Sequence, residues 1–592
     1  MKLLLFVPLL ASFCGAQQAE PQTIVVTGTY EPVALDEVDR SVTVLPARQN
    51  GLVLNTLVDL LKLDPSLDLE ERAPDGVQTD LSIRGSSYGQ TLVLLNGQRL
   101  NDAQSGHHNM DIPVPLDAVS RIEVLRGSGS TLYGSDAAGG AINIITEPPE
   151  QTEIRLRTAL GNDGINQQRG SISGAFGKID QQLVFSRDFS TGFMPDRDYR
   201  NLQLASITHA VSGLGFSDIT LAYQDHPFGA DQFYGPYDSW EDTKAWFASL
   251  RQSLGKKTTV DFDYRRHSDL FVVSRSQPTQ FPANHHADES YQAAIRRQES
   301  LRPTINFFYG AEALHESIVS NNLGLHNRSR GAAYASADFR ALRRFSLSLS
   351  AREEVYRSFS GEFSPTIAGG VWLSPRVKLR ASASRAFRVP SYTELYYHDP
   401  ANIGNPDLRP ERAWSYETGV DWNPASRVRA EATIFERRER DGIDYFRLTL
   451  NDIWRALNIQ NLNFTGVEAS LHVAPSRSQT IDFRYTGLRG SQDTVPVGLT
   501  KYTFNYPTHS GIIAWQASLP GHMLVRSRVG VLDRRARDTY ALWDLYAAYG
   551  HGRVHPFLQL ANITSTSYQE IQGVQMPGRT VIGGVELVFP IH

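Results

Sequence analysis

The chain has 592 residues, 41% of them apolar, with 58 basic against 63 acidic side chains and a net charge of -5. A balance so near neutral gives no electrostatic reason to expect nucleic acid as a partner. No run of about 18 apolar residues exists outside the extreme N-terminus, which excludes helical membrane spans but not a β-barrel, whose strands alternate polar and apolar residues.

The first residues read as a secretory leader, residues 1–16: a positive start at Met1-Lys2, an apolar stretch from Leu3 to Leu10, and small residues at Gly15 and Ala16. Cys14, the single cysteine, falls inside it, and bulky Phe13 before it argues against a lipid-anchored cysteine. The mature chain then has no thiol chemistry and no cysteine metal site. Residues 17–45 read as a polar, flexible arm with one β-branched island, Thr23, Ile24, Val25, Val26 and Thr27. Such an island can add as a strand to a partner's sheet edge, or form the first strand of the domain after it.

Residues 46–148 read as one compact α+β domain. Leu52, Leu54, Leu57, Leu60 and Leu61 recur at helical spacing and end near Pro65. Leu92 to Leu95 followed by Asn96-Gly97 predicts a strand entering a tight turn, and a glycine-rich stretch, Gly127 to Gly140, precedes an apolar strand, Ala141 to Ile145. The glycines do not make a phosphate cradle, because the P-loop lysine and the GxGxxG spacing are missing.

Residues 149–592 change to repeated period-two alternation. Glu153-Ile154-Arg155-Leu156-Arg157, Val260-Asp261-Phe262-Asp263-Tyr264-Arg265 and Ile481-Asp482-Phe483-Arg484-Tyr485 each carry one apolar and one charged face. At about 20 residues per strand and connection, this length allows roughly 20 to 22 strands, a size at which a barrel lumen needs filling. A soluble all-β protein also alternates, but its strands are shorter.

Ordered motifs then add a resemblance. Ser82-Ile83-Arg84-Gly85, Leu92 to Asn101, Arg121 to Gly127, and Leu132-Tyr133-Gly134-Ser135-Asp136 running to Thr146 succeed one another in the first domain. Ser384 to Pro390, Gly404 to Glu411, Ala561-Asn562-Ile563-Thr564 and Pro577-Gly578-Arg579-Thr580 come after them in the second. In this order they resemble the TonB-dependent outer-membrane receptors, of the vitamin B12 or siderophore receptor kind, over nearly the whole mature chain. The resemblance implies a transmembrane β-barrel of about 22 antiparallel strands with an N-terminal α+β plug in its lumen, integral to the outer membrane. It makes residues 23–27 a TonB box, TonB and its inner-membrane energising complex the partner, outer-membrane lipid the surroundings, and a metal chelate the ligand. It also implies ion pairs joining plug to barrel, Arg84 and Arg126 with Glu417 and Glu468. The alternation supports their placement: in Trp414-Ser415-Tyr416-Glu417-Thr418-Gly419-Val420 and in Val467-Glu468-Ala469 each carboxylate falls on the polar, inward face. One departure stands out. Such barrels end on an aromatic residue, whereas this chain adds Pro590-Ile591-His592 after Phe589.

No nucleophile, histidine and acid stand at an interpretable spacing, so no enzyme, resident metal or cofactor is expected. Two His-His pairs, 107–108 and 285–286, read either as contacts to a metal-bearing ligand or as polar loop motifs. In the resemblance, apical plug loops and extracellular barrel loops touch ligand. The candidates are Ser86, Ser87 and Tyr88, then Gln104, His107, His108 and Asn109, and on the barrel an aromatic wall of Phe233, Tyr234 and Tyr237. The function expected is energised uptake of an iron–siderophore or cobalamin-like ligand. An importer of oligosaccharide or peptide is the alternative, and a passive porin a further one, although a porin would carry neither box nor plug.

Overall fold

In the computed structural model, residues 23–591 are described apart from 30–31, 149–150, 303, 343, 358, 460, 493–497, 504 and 536. The expected leader, residues 1–16, lies outside the described residues. Twenty-two antiparallel strands close a barrel, as expected from the alternation. The first of them, Glu153–Gly161, meets the last, Thr580–Pro590, in a ladder from Glu153 opposite Pro590 to Gly161 opposite Ile582. Closure leaves no sheet edge, the condition a β structure must meet in lipid. No helix of the described residues is long and apolar enough to cross a membrane.

Side-chain parity sorts the wall into two environments. Tyr416 is 40% exposed while Glu417 is 8%, and Val467 is 46% exposed while Glu468 is 5%. The outer face is aliphatic and aromatic, with Leu221, Trp246, Ile295 and Ile434 all outward, whereas the lumen is lined by paired charges such as Arg169–Asp188 and Arg330–Glu354. A charge on the lipid face would cost about 2–4 kcal/mol at mid-bilayer depth, which explains the sorting. At one end of the barrel the strands join in two- to four-residue turns; at the other lie the longer connections, among them the described parts of 389–410, 441–461, 493–506 and 562–579. The first three of these are joined by a small sheet of Asn402–Ile403, Trp454–Ile459, Gly442–Arg447 and Leu499–Thr500.

The lumen is filled by a five-stranded sheet in the order Val42–Pro46, Val119–Arg126, Gly140–Thr146, Thr91–Leu95 and Gln98–Arg99. Its core, with Leu60, Ile83, Val93, Ile122 and Ile144, runs on into barrel residues Val184, Ile207 and Phe247. The turn expected at Asn96-Gly97 forms with both residues at positive φ, 52° and 81°, as a two-residue hairpin turn of the favoured hand requires. The helix is shorter than the leucine spacing suggests, Leu57–Leu61, because Thr56 and Asp59 close a capping box that fixes its start. Leu52 and Leu54 fall in the preceding turn.

The structure corrects the expected arm. Val42–Pro46 pairs with Val119–Arg126, so the boundary drawn after residue 45 falls inside a strand of the plug sheet. Ile24–Val25 also pairs with Val33–Ala34, and both Val25 and Thr27 are fully buried. The Val26 N–H donates to Glu123 Oε2 at 2.9 Å, and Asn143 Nδ2 donates to Thr27 Oγ1 at 3.0 Å. Burying β-branched side chains and satisfying their backbone groups outweighs the chain entropy of a free arm.

At Gly85, with φ at 71°, the plug backbone runs against the wall: a Cβ would lie 2.8 Å from Leu488 Cδ2 and 2.9 Å from Phe464 Cδ1. Gly85→Ala is therefore expected to weaken plug seating by about 1–3 kcal/mol. Faster release of plug fragments by trypsin from the folded barrel would register it, and an unchanged cleavage rate would refute it. At the C-terminus, Phe589 stays on the outer face opposite Ile154, and the Ile591 N–H donates to Thr152 O at 2.8 Å. Pro590 is thus the last residue of the closing strand itself, opposite Glu153.

Candidate functional site

The four charges expected to join plug and barrel meet in the lumen. Arg84 reaches Glu468 with two parallel hydrogen bonds, Nε to Oε1 and Nη2 to Oε2, both 2.7 Å, and Glu417 Oε2 with Nη1 at 2.9 Å. Arg126 Nη1 stands 3.2 Å from Glu468 Oε2. The Ser41 N–H donates to Glu417 Oε1 at 3.1 Å, and the Arg84 guanidinium lies over the Phe435 ring at 4.2 Å. Arg84 has a positive φ of 52°, a strained backbone for a non-glycine residue, held by the contacts on both sides. Burial opposes its charge, but Glu468 and Glu417 outweigh that and hold the guanidinium protonated. The geometry is a bidentate clamp with a second carboxylate behind it.

Further clamps that sequence reading did not find lie around the same junction. Arg534 holds Asp68 and Glu70, Arg265 holds Asp102 at 2.8 Å, and Gln90 Nε2 donates to both Glu411 and Glu439. In sequence these residues look like ordinary lumen charges; only strand register and plug docking pair them.

The ligand candidates separate into three groups. At the end carrying the long loops, Tyr88 stacks on His107 at 4.3 Å, and Tyr502, from the 493–506 connection, meets Tyr88 edge-on at 5.4 Å. His107 Nδ1 lies 2.7 Å from Asp80 Oδ1, and Arg72 holds the same carboxylate at 2.9 Å. Burial pushes the His107 imidazole below its ordinary value despite the pull of Asp80. For Asp80 burial acts upward, but Arg72 and His107 outweigh it and hold the carboxyl low. Tyr234 joins this face: its hydroxyl bonds Gln78, and Arg72 stands 5.5 Å over its ring.

The second group is structural. Ser86 is buried, its Oγ accepting the Ile83 N–H, and Ser87 starts the short helical turn at Tyr88–Gln90. Asn109 ties two plug segments, accepting from Asp102 N and donating to Tyr88 O. Phe233 is buried with Ala73, Val77 and Phe228, under Arg197 at 4.5 Å. The expected aromatic wall is therefore split, since Tyr237 packs instead on Phe281 at 6.2 Å. The third group faces the barrel wall, where Gln104 Nε2 donates to Asp269 at 3.1 Å and His108 comes within 3.6 Å of the same carboxylate. Here His108, Asp111 and His267, and beside them His108, Glu241 and Asp269, gather ligand atoms close enough to hold a cation.

Two family models cover this architecture: a TonB dependent receptor-like β-barrel matches residues 133–563, and a TonB-dependent receptor plug domain matches residues 34–141. Among curated proteins the chain is 26% identical over 575 residues to the vitamin B12 transporter BtuB of Vibrio vulnificus, covering 91% of this chain and 90% of that one. It is 27% identical over 533 residues to an iron-regulated outer membrane virulence protein of Vibrio cholerae, covering 80% and 78%. Among solved structures, the FrpB iron transporter from Neisseria meningitidis superposes with a TM-score of 0.78 at 14% identity, over 93% of this chain and 100% of that one. The siderophore receptor PirA from Acinetobacter baumannii does so at 0.76 and 14%, over 93% and 98%.

Proposed function

The chain belongs to the TonB-dependent receptor family, and from that premise we propose that it takes up a scarce metal chelate, a corrinoid or a ferric siderophore, drawing its energy from TonB. As a member of that family it is an outer-membrane transporter and not an enzyme. The observation that carries the reading is the filled lumen: a folded domain packs against the inner wall and is clamped to it through Arg84. Passage then requires work on the plug, and the outer membrane has neither nucleotide nor a sustained gradient of its own. An inner-membrane potential supplies about 2.3 kcal/mol per charge per 100 mV, so a few transits match the strength of one buried clamp.

The coverage by the vitamin B12 transporter over nine-tenths of both chains supports placing the corrinoid first. The apical group of Tyr88, His107 and Tyr502 offers ring faces and edges suited to a large planar ligand. Binding of cyanocobalamin and of a ferric siderophore panel to the purified protein tests the proposal. Retention of an oligosaccharide or peptide with neither chelate bound would overturn it. Within that assay Tyr502→Ala is expected to weaken chelate binding about two- to tenfold, the worth of one aromatic contact. An unchanged affinity would remove Tyr502 from the site.

A further inference from the structure

Folding divides the two His-His pairs: His108 and His286 are buried while His107 and His285 take other surroundings. Four adjacent strands, Gly215–Asp231, Asp238–Leu254, Thr258–Val272 and Asn284–Arg302, form the wall there. Their register sets His226 opposite Thr243, Thr243 opposite Asp269, and Asp269 opposite His286, with His267 opposite Asp288 two residues along. Onto this inner face the plug presses His108 and Asp111. His267 Nε2 lies 2.9 Å from Asp111 Oδ2, His108 Nδ1 lies 3.4 Å from the same oxygen, and the two imidazole centroids are 4.8 Å apart.

Two observations distinguish this cluster from an ordinary lumen ion pair. The ligand atoms of His108, Asp111 and His267 all lie within 4.8 Å of one another, and the two contacts to Asp111 are already near the roughly 3.3 Å spacing of tetrahedral ligands around zinc. Independently, His226 is fully buried and neither of its ring nitrogens has a hydrogen-bond partner among the described residues. Its position in line with Thr243 and Asp269 sets it on the same inner face as His267. A buried imidazole with both nitrogens unpaired is costly, and a cation's coordination sphere would satisfy it.

We infer that this junction binds an unchelated divalent transition cation of the zinc class, with His108, Asp111 and His267 as ligands and His226 as the fourth. Imidazole nitrogens with one carboxylate suit zinc, whereas calcium takes six to eight oxygens. The outer partners are in place. Asp102 Oδ2 lies 3.0 Å from His267 Nδ1, leaving Nε2 for the ion, and Arg265 fixes Asp102. Two ligands come from the plug and two from the wall, so the ion ties the domains together at a point remote in sequence from the Arg84 clamp. The inference rests on plug–wall geometry and not on which chelate is carried.

The full mature chain, purified in detergent and stripped of metal, is titrated calorimetrically with zinc chloride. One zinc per chain is expected, not displaced by a hundredfold excess of calcium. Asp111→Asn and His226→Ala should each weaken binding at least about tenfold. His522→Ala, in an exposed pair stacked on His551, should leave it unchanged. Heat-modifiable gel mobility confirms that each variant is folded, and His226→Ala removes no hydrogen bond of the described residues. The inference is overturned if the wild-type protein binds no zinc, if calcium displaces zinc, or if both folded junction variants bind zinc as the wild type does. Chelate binding is measured on the wild-type sample; its absence would count against the uptake reading and leave this one standing.

Discussion

Glu468→Ala is expected to raise the leak conductance of the protein in planar bilayers by at least an order of magnitude. Glu468 accepts both arms of the Arg84 bidentate pair and also faces Arg126, so its removal takes away the Arg126 contact at 3.2 Å and leaves Glu417 as the carboxylate bonded to Arg84. Arg84 and Glu468 are both about nineteen-twentieths buried, so the lost pairing is not replaced by bulk water. Removing one partner of such a pair costs about 3–5 kcal/mol, which corresponds to roughly two to three and a half orders of magnitude in the population of a loosened plug. The other clamps, Arg534 on Asp68 and Arg265 on Asp102, limit this to local opening rather than expulsion. Glu417→Ala should act in the same direction and less strongly, because it takes one hydrogen bond from Arg84 rather than two. Unchanged conductance in both variants, with protease protection of the plug intact, would show that the clamp does not hold the plug.

The range of the physics involved decides which features are legible in sequence and which are hidden. Period-two alternation is local, so the inward placement of Glu417 and Glu468 can be read from five or six residues on either side. Turn chemistry is equally local, which is why Asn96-Gly97 announces its hairpin. The partners across the lumen are not local. Asp111 and His267 are 156 residues apart, and they meet only because the strand register and the docking of the plug agree. Phe233 and Tyr237 share a turn without period, and there adjacency says nothing about direction. The fate of residues 23–45 is hidden for a further reason. A β-branched island is equally suited to a partner's sheet and to its own domain, and in this structure its own domain holds it.

That docking sharpens the last expectation. Deleting Thr23 to Thr27 should reduce uptake to background, a loss of about a hundredfold or more, while equilibrium ligand affinity stays within about twofold. The two effects separate in space. Glu37, just beyond the segment, pairs with Arg340 at 2.8 Å beside the short-turn end of the barrel, whereas Tyr88 and His107 lie at the end with the long loops. The segment's backbone is engaged, with Ile24–Val25 paired to Val33–Ala34 and Val26 donating to Glu123. On the proposal that TonB adds a strand at residues 23–27, those bonds must first open, and the docked segment is then a form withheld from that partner. Opening a two-residue pair and two side-chain bonds costs a few kcal/mol, within what ligand binding at the plug can bias. Uptake by the intact receptor in cells lacking TonB should then equal uptake by the deletion variant in normal cells. Transport that persists after the deletion, at a rate dependent on the inner-membrane potential, would show that energy enters the plug by some route other than residues 23–27.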